Sequence, residues 1–216
     1  MKGHVIFDFD GTLVDSFEAI LLGIQKLMHE LTGTLHPLTK VREMYTPDID
    51  KQYQSFGLAP MSPSEKMKNL LRFGEIARGI VYDYQLFPGL LQLLENLKQE
   101  GYRLSLWTAR DRQSTLEILN RVGIMPFFQG ICCADDARVK PAPDGLLKLA
   151  EGHDKEKVVV IGDSSMDCQG ARSYGGHFIA ALWCPRASLQ WFQSEGVEEL
   201  AYTPVECQKA IARLLE

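Results

Sequence analysis

The chain has 216 residues, 45% hydrophobic and 24% charged, which suits one globular domain or a domain carrying an insert. A net charge of −5 without any basic run argues against a nucleic-acid polymer or an anionic membrane as partner. No secretory leader pattern or run of ~20 apolar residues is visible, and five cysteines (Cys132, Cys133, Cys168, Cys184, Cys207) lack metal-finger spacing. The expectation is a cytoplasmic protein with free thiols, monomeric or a small homo-oligomer.

Val5-Ile6-Phe7 is a β-prone run that delivers Asp8 and Asp10, spaced i and i+2, to the turn residue Gly11. In a strand that spacing points both carboxylates to one side. Crowding them there is unfavourable unless a cation, a proton or a substrate compensates. A calcium loop does not fit, because Phe9 interrupts the acidic run, no Glu closes the loop, and a strand precedes it. Phe17, Ile20, Leu21, Ile24, Leu27, Met28 and Leu31 then recur at helical spacing, with Gly33 as the stop. Residues 34 to 62, punctuated by Pro37, Pro47 and Pro60, read as short helices and turns. Ser62-Pro63-Ser64-Glu65 predicts a helix start: Ser62 as N-cap, Pro63 in the first turn, and Glu65 closing a capping box. The following helix is expected to carry Met67, Leu70, Leu71, Ala77, Ile80, Val81 and Tyr84 on one side. Residues 15–85 are thus a helical block without a convincing strand.

From Pro88 the texture changes to alternating helices and strands. Helices are expected at Leu90 to Lys98, Asp111 to Val122, 144–151, Met166 to Ser173, 187–194 and 204–215. Strands are expected at Tyr102 to Trp107, Gly130 to Cys133, Lys157 to Ile161 and His177 to Leu182. Aliphatic runs without period-two alternation indicate a buried parallel sheet. The fold class is therefore α/β: a Rossmann-like, doubly wound core from residues 1–14 and 86–216, with a helical insert, residues 15–85, after the first strand.

Open parallel sheets bind ligands beyond the carboxyl ends of their strands. The first strand ends at Asp8 and Asp10, and the second at Thr108, with Ala109-Arg110-Asp111 opening the next helix. The third is followed by Asp135, Asp136 and Lys140-Pro141, and the fourth by Gly162-Asp163-Ser164-Ser165-Met166-Asp167. Carboxylates, a hydroxyl and a lysine therefore collect on one rim.

In these four segments the chain resembles the haloacid dehalogenase superfamily, in particular its phosphoglycolate phosphatase-like members with a helical cap inserted after the first strand. The resemblance implies hydrolysis of a small-metabolite phosphate monoester through an aspartyl phosphate. It implies Asp8 as nucleophile and Asp10 as acid and then base. Thr108 and backbone N–H groups such as that of Ala109 would hold the phosphoryl oxygens, and Lys140 would neutralise them. Asp8, the Asp10 carbonyl, Asp163 and Asp167, the last directly or through water, would bind a divalent ion. Charge counting supports that ion, because Lys140 alone cannot balance four carboxylates and a phosphate dianion, and hard oxygen donors favour Mg²⁺. A sugar-phosphate mutase, a phosphonatase and a non-catalytic phosphate-binding protein are the alternatives. Where family caps often carry a glycine-containing loop, this chain has Thr46-Pro47-Asp48-Ile49, and the second motif continues with Arg110, a residue able to touch substrate or to lie on the surface. Arg42, Thr46, Asp48 and Lys51, with Lys40 and Gln52, are the cap's specificity candidates.

Overall fold

A computed structural model describes residues 2–46, 48–80 and 82–215; Pro47 and Val81, both part of the sequence reading, lie outside the described residues. The first half of the chain gives β1 (His4–Phe7), β2 (Val14–Asp15), α1 (Phe17–Thr32), α2 (Leu38–Glu43), α3 (Ile49–Ser55), α4 (Pro63–Arg78), β3 (Gln85–Leu86) and α5 (Leu90–Gln99). Next come β4 (Arg103–Trp107), α6 (Arg112–Arg121), β5 (Gly130–Cys132), α7 (Asp144–Leu149) and β6 (Val158–Gly162). The chain continues through α8 (Ser165–Tyr174), β7 (His177–Ala181), α9 (Leu189–Ser194), β8 (Leu200–Ala201) and α10 (Pro204–Leu215). It separates into two compact units, Met1–Asp15 with Tyr84–Glu216, and Ser16–Asp83.

The larger unit is built on a six-stranded sheet of order β5-β4-β1-β6-β7-β8, and every pairing in it is parallel. Its centre is aliphatic because helices flank the sheet: all of β1 and all of β6 are buried. Val5 stands in register with Leu104 on one side and Val159 on the other. Helix α5 buries Leu90, Leu93, Leu94 and Leu97, an i, i+3, i+4, i+7 stripe; each such leucine contributes about 1.5–3 kcal/mol. The chain leaves β1 for β4 and β5 on one side, then returns to place β6, β7 and β8 on the other. In sheets with such a reversal, ligands bind beyond the carboxyl ends of the strands beside it, here β1, β4 and β6. The parallel α/β core is as the sequence indicates. Three two-residue strands are additions: β2 pairs with β3 antiparallel at the ends of the block read as purely helical, and β8 extends the sheet edge.

In the smaller unit, Leu21, Ile24, Leu27 and Met28 of α1 pack with Val41, Tyr53, Phe56 and Ile76. Gly23 allows α1 and α4 to approach, since a Cβ there would lie 2.6 Å from the Phe73 ring. Across the same pair, Arg72 donates to both carboxylate oxygens of Glu30, at 2.7 and 2.9 Å. Gly33 ends α1 in the left-handed conformation. Ser62 and Glu65 form the expected capping box at the start of α4.

The face expected for α4 is corrected. The helix ends at Arg78, so Ile80 and Tyr84 are not on it, and Met67 and Leu71 are exposed. Its buried positions are Asn69 and Ile76, with Phe73 packed beside them. All five cysteines are buried free thiols. Among the described residues no helix is long and apolar enough to cross a membrane.

Candidate active site

The chain leaves β1 straight into Asp8, whose backbone N–H donates to Ile161 O at 2.8 Å and so continues the ladder with β6. Lys140, from the loop before α7, places Nζ 2.5 Å from Asp8 Oδ1 and 2.6 Å from Asp167 Oδ1. Its side chain is only 2% exposed, so the ammonium is held by the carboxylates rather than by water. Beneath it lies the Trp107 ring, 4.5 Å from Nζ to the centroid. Space for that indole is cleared by two glycines, because a Cβ on Gly145 or on Gly170 would collide with it. Burial works against the charge of Lys140, but Asp167 and Asp8 outweigh it and raise its pKa. Asp8 is itself raised well above the carboxylate range by burial, and Asp167 and Asp163 add to the shift while Lys140 opposes it.

Asp167 sits in the first turn of α8, where it also completes a capping box. Its Oδ2 accepts from Ser164 N at 3.0 Å and from Ser164 Oγ at 2.5 Å. Asp163 joins the cluster from the end of β6, and Thr12 Oγ1 donates to its Oδ1 at 3.2 Å. Gly11, at φ 90°, lets the β1 turn pass so close to Asp163 that a Cβ would strike the carboxylate. One oxygen from each of Asp8, Asp163 and Asp167 lies within 4.8 Å of the others. Burial, then Asp167, raise the Asp163 carboxyl to about 6, against opposition from Arg186, Cys184 and Thr12. Three crowded carboxylates facing one ammonium are under-neutralised, and their hard oxygen donors fit a small divalent cation.

Asp10 belongs to a second cluster. Arg110 Nη2 donates to its Oδ1 at 2.7 Å and Nε to its Oδ2 at 2.9 Å. The Arg110 side chain is 9% exposed, so it is not a surface arginine. Its Cζ lies 5.7 Å from the Tyr84 ring centroid. Its backbone N–H donates to Thr108 Oγ1 at 3.1 Å. Thr108 is buried, and Ala109 beside it is exposed.

Other acidic residues near the rim serve the scaffold. Asp111 opens α6 as expected, capping it by accepting from Ser114 N. Asp135 accepts from Arg112 N at 3.0 Å. Asp136 pairs with the Arg112 guanidinium at 2.6 Å and accepts from Cys133 N at 2.8 Å. In the helical unit, Asp48 caps α3, accepting from Asp50 N and Lys51 N, and Lys51 Nζ lies 3.4 Å from Asp48. Thr46 N donates to Gln52 Oε1 at 3.0 Å, and Gln52 is buried rather than exposed. Arg42 pairs with Glu18, and Lys40 is exposed. Sequence reasoning missed Trp107, although an aromatic immediately before Thr108 in a buried strand was visible. It also missed Trp183, whose Nε1 donates to Thr12 O at 2.9 Å.

The family model for haloacid dehalogenase-like hydrolases matches residues 5–181, a span holding every carboxylate of both clusters together with Lys140 and Thr108. The chain belongs to that family. Among its relatives, a phosphoglycolate phosphatase of Nitrosococcus oceani is 30% identical over 178 residues, 78% of this chain and 79% of that protein. A phosphoglycolate phosphatase of Aquifex aeolicus is 27% identical over 189 residues, 83% of this chain and 84% of that one. In structure, a haloacid dehalogenase-like hydrolase of Streptococcus pneumoniae superposes with a TM-score of 0.78 at 23% identity, covering 96% of this chain and 97% of that one. That likeness is one of fold, and it agrees with the parallel sheet and flanking helices. The protein is thus an enzyme, a haloacid dehalogenase-like hydrolase.

Proposed function

We propose that this hydrolase cleaves a small phosphate monoester in the cytoplasm, with Asp8 as nucleophile and Mg²⁺ as cofactor. The observation that carries the reading is the buried Lys140 ammonium bridging Asp8 and Asp167 beside Asp163. A salt bridge so thoroughly desolvated is weak evidence for stability and stronger evidence for a site that handles charge. The phosphatase relatives support the substrate class.

An Asp8 carboxylate oxygen attacks phosphorus; the P–O ester bond breaks, and the leaving oxygen takes a proton from Asp10. Water then attacks the phosphorus of the aspartyl phosphate while Asp10 accepts its proton, releasing phosphate and restoring Asp8. Lys140 offsets the charge that the phosphoryl group brings to Asp8. Thr108 Oγ and the Ala109 N–H bind the other phosphoryl oxygens, which fixes the line of attack. Asp8, the Asp10 carbonyl, Asp163 and Asp167 would hold Mg²⁺, which when bound supplies electrophilic charge to the phosphoryl oxygens. Residues 15–85 act as a cap that selects the substrate, with Arg42, Thr46, Asp48 and Lys51 as the contacting candidates. A polymer is outside the expected range.

The test is turnover of an aryl phosphate. Phosphate release should require Mg²⁺, stop with a chelator, return when the ion is restored, and be inhibited by Ca²⁺, whose looser coordination disfavours in-line attack. Full activity in protein shown to be free of metal would refute the cofactor assignment.

A further inference from the structure

We infer that Arg110 is the seat of a second anionic group on the substrate, and that seating this group draws Arg110 off Asp10 and frees Asp10 for proton transfer. The inference rests on the reading of Asp8 as nucleophile and Asp10 as acid and base. It assigns Arg110 a role in choosing substrate, and it narrows the substrate class.

An acid–base carboxylate needs an oxygen that can reach the leaving group. Both oxygens of Asp10 are instead held by the Nε and Nη2 fork of Arg110, at 2.9 and 2.7 Å. The pair is poorly solvated, with 9% of the Arg110 side chain and 20% of the Asp10 side chain exposed. Breaking such a pair with nothing in exchange leaves a desolvated charge uncompensated, which is strongly unfavourable. Exchange is another matter. A carboxylate or phosphate presents the same two-oxygen edge to a guanidinium fork, so it can take the place of Asp10 without leaving Arg110 unpaired. A neutral leaving group has no such edge.

Position supports the exchange. The Arg110 backbone N–H donates to Thr108 Oγ1, the hydroxyl assigned to the phosphoryl group, at 3.1 Å. One residue therefore touches both the phosphoryl seat and the acid–base group. The Tyr84 ring backs the guanidinium, 5.7 Å from Cζ to the centroid, and offers it a second resting surface when it leaves Asp10. The substrate is accordingly a short phosphate ester carrying a carboxylate or a second phosphate a few bonds from the reacting phosphorus.

Three probes separate the possibilities: phosphoglycolate, ethylene glycol bisphosphate, and ethylene glycol monophosphate with its neutral head. The wild type should turn over at least one anionic probe with kcat/KM about 10–100-fold above the neutral one, the range of a charged hydrogen-bonded contact. Which anionic probe leads tells a carboxylate from a phosphate. Arg110→Gln should erase the preference while raising kcat on the neutral probe, because Asp10 is no longer clamped; Arg110→Lys should restore part of it. If Arg110 merely orients Asp10, Arg110→Gln lowers all three probes alike, and that result overturns the inference.

Equilibrium binding decides the matter apart from turnover and apart from any folding defect in the Arg110 variants. In the Asp8→Asn background, adding Asp10→Asn should tighten the favoured anionic probe by about 10-fold, since Arg110 no longer has a competing carboxylate. Affinity for the neutral probe should stay the same. Equal affinities with and without Asp10→Asn would refute the exchange. Hydrolysis of all three probes without preference defeats this inference and leaves the proposed reaction standing. Hydrolysis of none, with the aryl phosphate also untouched, defeats the reaction, and the binding arm still settles the role of Arg110.

Discussion

Asp163 offers a stability experiment whose sign follows from the crowding of the carboxylates. Its carboxyl is raised from 3.8 to about 6, by burial and then by Asp167. At about 1.4 kcal/mol per tenfold in proton affinity, the rise from 3.8 to about 6 is worth up to about 3 kcal/mol. Because Asp163 is only half-buried, that figure is a ceiling. A carboxyl raised in the folded state binds its proton more tightly there than when unfolded. The group therefore carries no penalty below the unfolded value of 3.8. The penalty grows as pH rises through the interval up to about 6 and is complete above it. Asp163→Asn removes the charge, keeps the shape, and retains an oxygen to accept from Thr12 Oγ1. In chelator at neutral pH the variant should melt above the wild type by as much as ~6–12 °C, from about 2–4 °C per kcal/mol for a chain of this size. Near pH 4 the two should converge. With Mg²⁺ the order should reverse, because only the intact carboxylate set gains binding free energy. Scanning calorimetry across pH, with chelator and with Mg²⁺, reads all of this. A variant that is less stable than the wild type in chelator by the same margin at every pH would refute the reasoning.

Asp10→Asn should slow both formation and hydrolysis of the aspartyl phosphate by ~10²–10⁴-fold, read by single-turnover kinetics, and an unchanged rate would remove Asp10 from the mechanism. Gly170→Ala drives a methyl into the Trp107 ring and should destabilise the fold by about 1–3 kcal/mol, the usual effect of overpacking. It should lower kcat as well, because Lys140 rests on that ring; denaturant melts and initial rates check the two effects, and wild-type values in both would show that the indole can shift freely. Substitutions at Lys40, Arg42, Thr46, Asp48 and Lys51 should lower kcat/KM for the physiological ester far more than for a small aryl phosphate. Equal losses for both substrates would take selectivity away from the cap.

How much of this was legible in the sequence depended on how local the cause was. Lys157 to Ile161 reads as a buried strand because its aliphatic run has few other uses, and Ser62 with Glu65 reads as a helix start because both partners lie within four residues. The rim of strand ends was legible because parallel topology brings distant carboxyl termini together whatever lies between them. The two-residue strands were not, since Leu200–Ala201 and Gln85–Leu86 are too short to carry a period. The face of α4 is not legible, because Met67 and Leu71 are apolar yet exposed, while the polar Asn69 is buried. Arg110 reads equally as a substrate contact or a helix-start surface arginine, because its partner Asp10 lies 100 positions away in the chain. Asp135 and Asp136 follow a strand end as site carboxylates do, but both bond to Arg112. Charge type alone does not tell a scaffold carboxylate from a reacting one; the partner does.

The central claim is that Asp8 becomes phosphorylated, and trapping the adduct tests it most directly. The wild type, quenched in acid during turnover of a phosphate ester with Mg²⁺, should yield a peptide spanning Asp8 that is heavier by one phosphoryl group and loses it to hydroxylamine. Asp8→Asn should give no adduct and no turnover while folding normally. Turnover by a pure Asp8→Asn sample, or an adduct on any other residue, would contradict the account.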